Sequence, residues 1–358
     1  MIRRALPLVL LGLVATASAV AGWGVGGKLG KQPAPTAARA AQDGALVQHA
    51  IASLAPQRPG HPDLYVLGFA GDGSEPVFRN EVLFLRDLAS RRMDAAGRVL
   101  VLSNQPDEPP RSPVPRASVK NLQAALAGIG ATLDPAEDLL LLYLTTHGTE
   151  DHELLLRRPG AEDAFMDAAQ VRYALDAAGI RHRVIAISAC YSGGLVDELR
   201  GRDTLLLTAA RSDRTSFGCG NDSVATFFGR AWLVDGLNAT LDFHEAFEMA
   251  SAAITAREAA EELTPSLPQA TSGDRIDRRL AAWRAGFTPG PALAYPHAEP
   301  EDIDYSSAEG DGDPEVVEEL DAAPAAGMDA VLVDRLIDYR QPRRGDAAHG
   351  QANSREKR

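Results

Sequence analysis

The sequence predicts an α/β protein with a mainly parallel β-sheet and helices on both faces. Two observations lead to this prediction: short segments are almost continuously apolar, and amphipathic segments separate most of them. Continuous apolar character is typical of strands that are buried on both faces of a parallel sheet. The predicted strands are residues 64–71, 98–104, 138–146, 184–189 and 204–210, and a small hairpin is expected at 153–156.

The segments between the strands have the apolar spacing of amphipathic helices. The clearest is 118–133, in which Leu122, Leu126 and Ile129 fall on one face. The other predicted helices are 80–93, 167–179, 224–237 and 243–262, with a further short helix expected at 41–54. Together these elements predict one α/β domain at residues 61–288, a length in the usual range for a domain, preceded by a linker at 32–60.

The N-terminal segment, residues 1–31, has the pattern of an export signal or a membrane anchor. Arg3 and Arg4 precede an uncharged, largely apolar stretch at 5–27, which contains small residues at 17–19. A positive start, an apolar run and a small-residue cleavage site define a secretory signal peptide. The stretch is also long enough to span a bilayer if it is not cut. We therefore expect an exported protein that is either periplasmic or anchored to the membrane by its N-terminus.

The C-terminal segment, residues 289–358, is rich in Pro, Gly, Ala and acidic residues, which is a composition typical of disorder. Residues 299–321 hold eleven carboxylates and no Lys or Arg, so this stretch accounts for most of the formal net charge of −13. Within the tail, 328–339 is predicted either as a short docking helix or as unstructured chain with chance apolar residues. The acidic tail is a candidate segment for binding a partner.

The composition excludes several functional classes. A pI near 5.1 without a basic patch argues against nucleic acid as a partner. Two cysteines are too few for a disulfide scaffold or a four-thiolate metal site. The histidines are too far apart for the common metal-binding motifs, and no Gly-rich phosphate loop follows a strand. We expect no metal and no cofactor.

The residues that follow two of the predicted strands form a possible catalytic pair. Ligands bind outside the carboxyl ends of strands in parallel sheets. His147 follows the third strand and Cys190 the fourth. If these strands are neighbours, an imidazole and a thiol meet in one crevice, as a nucleophilic Cys/His pair requires. The backbone N–H groups of Gly148 and Cys190 are candidates for an oxyanion hole. His152 is a second candidate base, ranked lower because it lies in an expected hairpin turn.

Three motifs resemble the legumain family of cysteine peptidases, which includes the catalytic subunit of the glycosylphosphatidylinositol transamidase and exported bacterial members. They are residues 142–148 (LYLTTHG), 187–193 (ISACYSG) and 208–219 (TAARSDRTSFGC). The resemblance covers about residues 61–270 and implies a caspase-like three-layer α/β sandwich. It also implies that Cys190 is the nucleophile and His147 the general base or proton shuttle, with an oxyanion hole formed by Gly148 and Cys190.

The resemblance further implies which residues bind the substrate. Arg79, after the first strand, and Ser216, after the fifth, match the pocket for the residue before the cut. Two positions depart from the family: Tyr191 and Arg230 stand where carboxylates are common. Fewer carboxylates and more cations would favour an acidic side chain, so cleavage after Asn and cleavage after an acidic residue both remain open.

Two functional classes follow from these observations. The first is a cysteine endopeptidase, or a transamidase or peptide ligase that shares its acyl-enzyme. The second is a catalytically degenerate caspase-like module that binds partners. A disulfide between Cys190 and Cys219 would silence the nucleophile, so we expect both thiols to be free and Cys219 to be structural. The expected partner is a peptide or protein substrate.

Overall fold

A six-stranded β-sheet forms the centre of the molecule. The computed structural model describes residues 37–105, 114–220 and 223–297. In the sheet the strands follow the order β2-β1-β3-β6-β7-β8, and all neighbouring pairs are parallel except the last. A separate antiparallel pair joins β4 to β5. The strands are β1 (Leu64–Ala70), β2 (Val99–Ser103), β3 (Leu139–Thr145), β4 (Leu154–Leu156), β5 (Ala164–Met166), β6 (His182–Ser188), β7 (Thr204–Thr208) and β8 (Gln269–Ser272).

Helices cover both faces of this sheet. The helices are α1 (Ala37–Ala52), α2 (Pro76–Arg92), α3 (Val119–Thr132), α4 (Ala168–Ala177), α5 (Val196–Leu199), α6 (Leu237–Ala239), α7 (Phe243–Ala260) and α8 (Ile276–Ala285), with a 3₁₀ turn at Ser192–Leu195 and a π-helix at Gly229–Gly236. Alternate side chains of each central strand enter two separate cores. One core holds α2, the π-helix, α7 and α8, and the other holds α1, α3, α4 and α5. The predicted α/β sandwich with helices on both faces is confirmed.

Local sequence signals explain where several helices begin. Pro76 occupies the first turn of α2, where its missing N–H costs nothing. Asp167 and Gln170 form a reciprocal capping box at the start of α4. At α7, the Asp242 carboxylate accepts hydrogen bonds from two backbone N–H groups. These caps satisfy donors that would otherwise have no partner at the helix ends.

Several parts of the fold differ from the sequence-based expectation, including α8, for which no helix was predicted. Strand β8 was not predicted, because its polar sequence lacks a strand pattern and it pairs antiparallel with β7 at the sheet edge. The predicted α-helix at 224–237 is mainly a π-helix. The short helix expected at 41–54 is present as α1, but it packs Val47 into the core beside α3, so it belongs to the packed structure and not to a linker.

The packed chain also continues past the predicted domain end at residue 288. The Gly290 N–H donates to the Arg92 carbonyl at 3.2 Å, and the Leu293 N–H donates to Asn238 Oδ1 at 2.8 Å. The Tyr295 ring packs edge-on against Phe84. Residues 289–297 therefore belong to the folded domain. We call this segment the C-terminal strap.

The predicted N-terminal segment 1–31, the acidic stretch 299–321 and the candidate helix 328–339 lie outside the described residues. Within the described ranges, no helix has both the length and the apolarity needed to cross a membrane.

Candidate active site

The sheet topology brings the two predicted catalytic residues to adjacent strand ends. Strands β3 and β6 are neighbours and run parallel, and their last paired residues are Thr145 and Ser188. His147 and Cys190 each follow two residues later, so they leave the same edge of the sheet at the same register. The neighbouring strands on which the sequence-based hypothesis depended are confirmed.

Two carboxylates from the loop between β1 and α2 face the His147 ring. Glu75 Oε2 lies 3.2 Å from Nε2, and Asp72 Oδ2 lies 4.0 Å from it. The edge of Phe78 packs against the ring at a centroid distance of 5.2 Å. A carboxylate can only accept a hydrogen bond, so in this contact Nε2 carries the hydrogen and donates to Glu75. Nδ1 is then the ring nitrogen left to exchange a proton with the reacting groups.

Asp72 is fully buried and fixes the loop that carries Glu75. Its Oδ1 accepts hydrogen bonds from the backbone N–H and the hydroxyl of Ser74, at 2.7 and 2.5 Å. Its Oδ2 lies 3.5 Å from the Arg157 guanidinium. Arg157 also binds the loop through its backbone, because its N–H donates to the Gly71 carbonyl and its carbonyl accepts from Gly73. The hairpin after β3 therefore braces the loop that orients His147.

The Cys190 thiol is partly exposed and faces the loop after β7. The Ser216 N–H donates to Sγ at 3.2 Å, and the Ser216 carbonyl oxygen lies 3.5 Å from the same sulfur. The Ser216 backbone therefore offers the sulfur both a donor and an acceptor. The next residue, Tyr191, has a left-handed backbone with φ of 55°. Such backbone strain in a residue other than glycine often occurs at functional sites.

Gly148 allows the two strand ends to touch. A Cβ at this position would overlap the carbonyl oxygen of Cys190. Within the described residues, neither the Gly148 N–H nor the Cys190 N–H donates a hydrogen bond to another protein group. Both donors therefore remain candidates for the oxyanion hole that the sequence predicts.

The lower-ranked base, His152, has a different environment. Its Nε2 lies 3.0 Å from the Ser212 carbonyl oxygen, and its ring packs so tightly on Gly194 that a Cβ there would overlap it. Its backbone is also left-handed, with φ of 61°. These contacts brace the loops on either side of the site.

The four predicted substrate-binding residues fall into two groups. Ser216 and Tyr191 adjoin the nucleophile, and the Tyr191 hydroxyl donates to Glu150 at 3.2 Å. Arg79 lies on α2, one helical turn after Glu75 and next to Phe78. Arg230 lies in the π-helix, where its Nε is 3.3 Å from Asp235 and its guanidinium lies over the Tyr295 ring. The sequence suggested that Arg230 adds a cation to the pocket without a nearby carboxylate. In the structure, Asp235 lies beside its guanidinium.

Cys219 is also free and lies in a different environment from Cys190. Burial raises the pKa of the Cys219 thiol to about 11, and the nearby charge of Cys190 contributes to this shift. A thiol with this pKa remains protonated at neutral pH and is a poor nucleophile. The described residues contain no group of three or more potential metal ligands.

Sequence reasoning missed Glu75 and Asp72. Both follow β1, which lies directly beside β3 in the sheet. The rule that pointed to the ends of β3 and β6 also applies to this strand end. The missing information was the strand order, which shows that the β1 loop faces His147.

Comparisons with known proteins agree with the motif resemblance. Residues 119–276 match the Peptidase C13 family, and this range contains both His147 and Cys190. The resemblance to the legumain family is thereby confirmed. One similar solved structure is a secreted C11 cysteine protease from Bacteroides thetaiotaomicron in complex with an irreversible peptide inhibitor. It is 12% identical, with a TM-score of 0.37, and the alignment covers 55% of this chain and 60% of that chain. No curated protein matches.

Proposed function

We propose that this chain is a cysteine endopeptidase that cleaves peptide bonds through an acyl-enzyme on Cys190. The observation that carries the proposal is the placement of Cys190 and His147 at adjacent ends of β6 and β3, inside the range that matches Peptidase C13. Two further observations support it: the backbone N–H groups of Gly148 and Cys190 donate to no other described residue, and Glu75 lies 3.2 Å from Nε2 of His147.

The proposed reaction has two halves. In the first, His147 takes the proton of the Cys190 thiol, the thiolate attacks the scissile carbonyl carbon, and the N–H groups of Gly148 and Cys190 stabilise the oxyanion. His147 then protonates the leaving amine, the C–N bond breaks, and a thioester remains. In the second, His147 takes a proton from water, the hydroxide attacks the thioester, and the thiolate leaves. An amine in place of water would give the transamidase or ligase reaction. Glu75 holds the ring throughout by accepting the Nε2–H.

The proposed specificity is cleavage after Asn or an acidic residue. Arg79 lies one turn beyond Glu75 on α2 and offers a fork of donors that suits an amide oxygen or a carboxylate. Ser216 lies against the sulfur. Arg230 contributes less in this proposal, because Asp235 lies beside its guanidinium.

The central experiment uses a peptide with a thiol-reactive warhead on the full chain. We expect the probe to label the wild type and to spare Cys190→Ala, with unchanged melting of the variant. Cys219→Ser is the matched control and should label like the wild type. Labelling of Cys190→Ala, or loss of labelling in Cys219→Ser with Cys190 intact, would contradict the assignment.

A nucleophilic amine added to the cleavage assay separates hydrolysis from transamidation by the mass of the product.

A second experiment tests the specificity. Peptides that differ only in Asp, Glu, Asn or Lys before the cut are compared between pH 4 and 8. We expect Asp and Asn to be cleaved and Lys not, with Arg79→Ala lowering kcat/KM more than Arg230→Ala. Cleavage after Asp should slow as the pH falls towards the pKa of the Asp side chain, about 3.9, because the side chain then loses its charge. Equal cleavage of all four peptides would reject the pocket assignment.

We also propose that the chain acts outside the cytoplasm, either released into the periplasm or held at the membrane by residues 1–31. The supporting observation is the pattern of Arg3, Arg4 and the uncharged stretch that follows. Cell fractionation with N-terminal sequencing of the mature chain tests this. A chain that starts at Met1 in the cytosolic fraction would reject it.

A further inference from the structure

A buried carboxylate lies beneath the candidate site and contacts neither His147 nor Cys190. Glu81 on α2 is completely buried. Its Oε2 accepts hydrogen bonds from the Tyr143 hydroxyl at 2.8 Å and the Thr145 hydroxyl at 2.6 Å. Its Oε1 accepts the Thr226 N–H at 2.7 Å. Three donors thus converge on one carboxyl group from β3 and from the segment that leads into the π-helix.

This hydrogen-bond network reaches both strands that end at the site. Thr145 is the last residue of β3, two positions before His147. The Thr226 hydroxyl lies 2.8 Å from the Ser188 hydroxyl, and Ser188 is the last residue of β6, two positions before Cys190. Because Thr145 and Ser188 are register partners, the network connects the ends of β3 and β6 just before the two predicted catalytic residues.

The same network fixes two other parts of the site. Glu81 lies on α2, less than two turns after Glu75, so its anchoring also holds the helix whose start faces His147. The Thr226 hydroxyl accepts the Gly229 N–H at 2.8 Å, at the first residue of the π-helix. A Cβ on Gly229 would overlap the Glu81 carboxylate. The start of the π-helix is therefore built around this carboxylate.

The chemistry of the network indicates a geometric role. Burial raises the pKa of Glu81, and hydrogen bonds from Thr145, Thr226 and Tyr143 oppose that shift. Burial, together with the charge of Glu81, raises the pKa of Tyr143 well above its usual range, so its hydroxyl remains a donor. A fully apolar set of side chains in place of this network would avoid the cost of burying a carboxyl group, so stability alone does not explain Glu81 and its polar partners.

We propose that Glu81 is a positioning residue that holds the ends of β3 and β6 in the arrangement that aligns His147 with Cys190. The inference rests on the proposed cysteine-peptidase function. Glu81 acts through Thr145, Thr226 and Ser188 and touches no reacting atom.

The test compares Glu81→Gln with Asp138→Asn in the full chain. Gln has the same shape, but it presents an amide NH₂ where the network needs an acceptor. Asp138 is also buried and accepts two backbone N–H groups, and it lies immediately before β3, at the opposite end of the strand from the site. The measurements are kcat and KM, and the pH dependence of Cys190 alkylation by iodoacetamide.

We expect Glu81→Gln to lower kcat at least about tenfold with little change in KM, since small misplacements of catalytic groups have effects of this size or larger. Its pH profile of alkylation should differ from that of the wild type, because His147 and Cys190 would no longer be aligned. Asp138→Asn should change neither measurement, whatever its effect on melting temperature. Equal behaviour of the two variants would overturn the inference.

The alkylation profile decides the inference independently of peptide cleavage. If the wild type cleaves no peptide, the proposed function fails, but a changed profile in Glu81→Gln alone still supports positioning. If Glu81→Gln does not fold, Thr145→Val and Thr145→Ser replace it. Thr145→Val removes the hydroxyl donor and should reproduce the loss of rate and the altered profile, whereas Thr145→Ser keeps the donor and should restore both. Wild-type behaviour of Thr145→Val would contradict the proposal.

Discussion

Buried carboxylates have different roles at the two ends of the strands in the central sheet, here called the amino edge and the carboxyl edge. At the amino edge, Asp63 is fully buried and binds Arg58 at 2.6 Å, and Arg98 lies 3.4 Å away. At the carboxyl edge, Asp72 and Glu75 face the imidazole of His147, and Arg157 is the nearest cation to Asp72. In the first arrangement, the two arginines neutralise the buried charge of Asp63. The second aims negative charge at a group that can gain and lose a proton.

This difference separates residues that hold the fold from residues that prepare the site. A buried ion pair is costly to break, because removing one partner leaves the other charged and buried. A carboxylate beside an imidazole contributes mainly by fixing the tautomer and orientation of the ring. Substitutions at the two edges should therefore affect different measurements.

The largest expected effect at the carboxyl edge, after loss of the nucleophile, is that of His147→Ala. We expect kcat/KM to fall by about a hundredfold or more, because proton transfer to the leaving amine is lost. The melting temperature should change little, since the ring is partly exposed. His152→Ala is the matched control and should retain far more activity. A greater loss of activity in His152→Ala than in His147→Ala would indicate that His152 is the base.

Paired substitutions of Asp63 and Glu75 test the comparison directly. Asp63→Asn should lower the free energy of unfolding by about 3 kcal/mol and leave kcat unchanged. Glu75→Gln should lower kcat about tenfold, the value of one hydrogen bond to a charged group, with little effect on stability. Chemical denaturation and steady-state kinetics on the same preparations measure both. Loss of activity in Asp63→Asn at full folding would contradict the separation.

Truncation tests whether the C-terminal strap belongs to the stable part of the molecule. A chain that ends at residue 288 loses the packing of Leu293 and Tyr295, and we expect its free energy of unfolding to fall by roughly 2–4 kcal/mol. A chain that ends at residue 297 should melt like the full chain, because it keeps the strap and loses only residues 298–358. Equal stability of both truncations would place the domain boundary back at 288.

The smallest expected effect concerns the second cysteine. Because the pKa of Cys219 is raised to about 11, its thiolate is scarce at pH 8, and iodoacetamide should modify Cys190 and spare Cys219. Reaction at Cys219 should rise as the pH approaches 11, since only the deprotonated sulfur attacks. Peptide mapping by mass spectrometry measures both sites. Fast labelling of Cys219 at pH 8 would reject its buried, structural role.

The sequence predicted the parts of the fold that depend on local pattern. The five parallel strands are buried on both faces and therefore continuously apolar, and their observed bounds lie within two residues of the prediction. Strand β8 could not be predicted, because its polar residues adopt strand structure only through pairing with β7. The C-terminal strap was missed for a similar reason. Its Pro- and Gly-rich composition suggests disorder, and its order comes from contacts with α2 and Asn238.

The candidate site was predictable to the extent that it follows from strand ends. His147 and Cys190 directly follow apolar strands, so the general rule for parallel sheets identified them. Glu75 depends on the conformation of the β1–α2 loop and on the order of the strands. Glu81 lies within an amphipathic helix, where a carboxylate normally faces water, and only the packing of α2 shows it to be buried.

The contacts of Gly148 and Gly194 limit how this protein can be engineered. A Cβ at Gly148 would overlap the Cys190 carbonyl, and a Cβ at Gly194 would overlap the His152 ring. A saturation library at these two positions should therefore return almost only the parent residue. Ser216 lies beside the sulfur and Arg79 lies on the first turn of α2, so new substrate preferences should be sought in libraries at those two side chains.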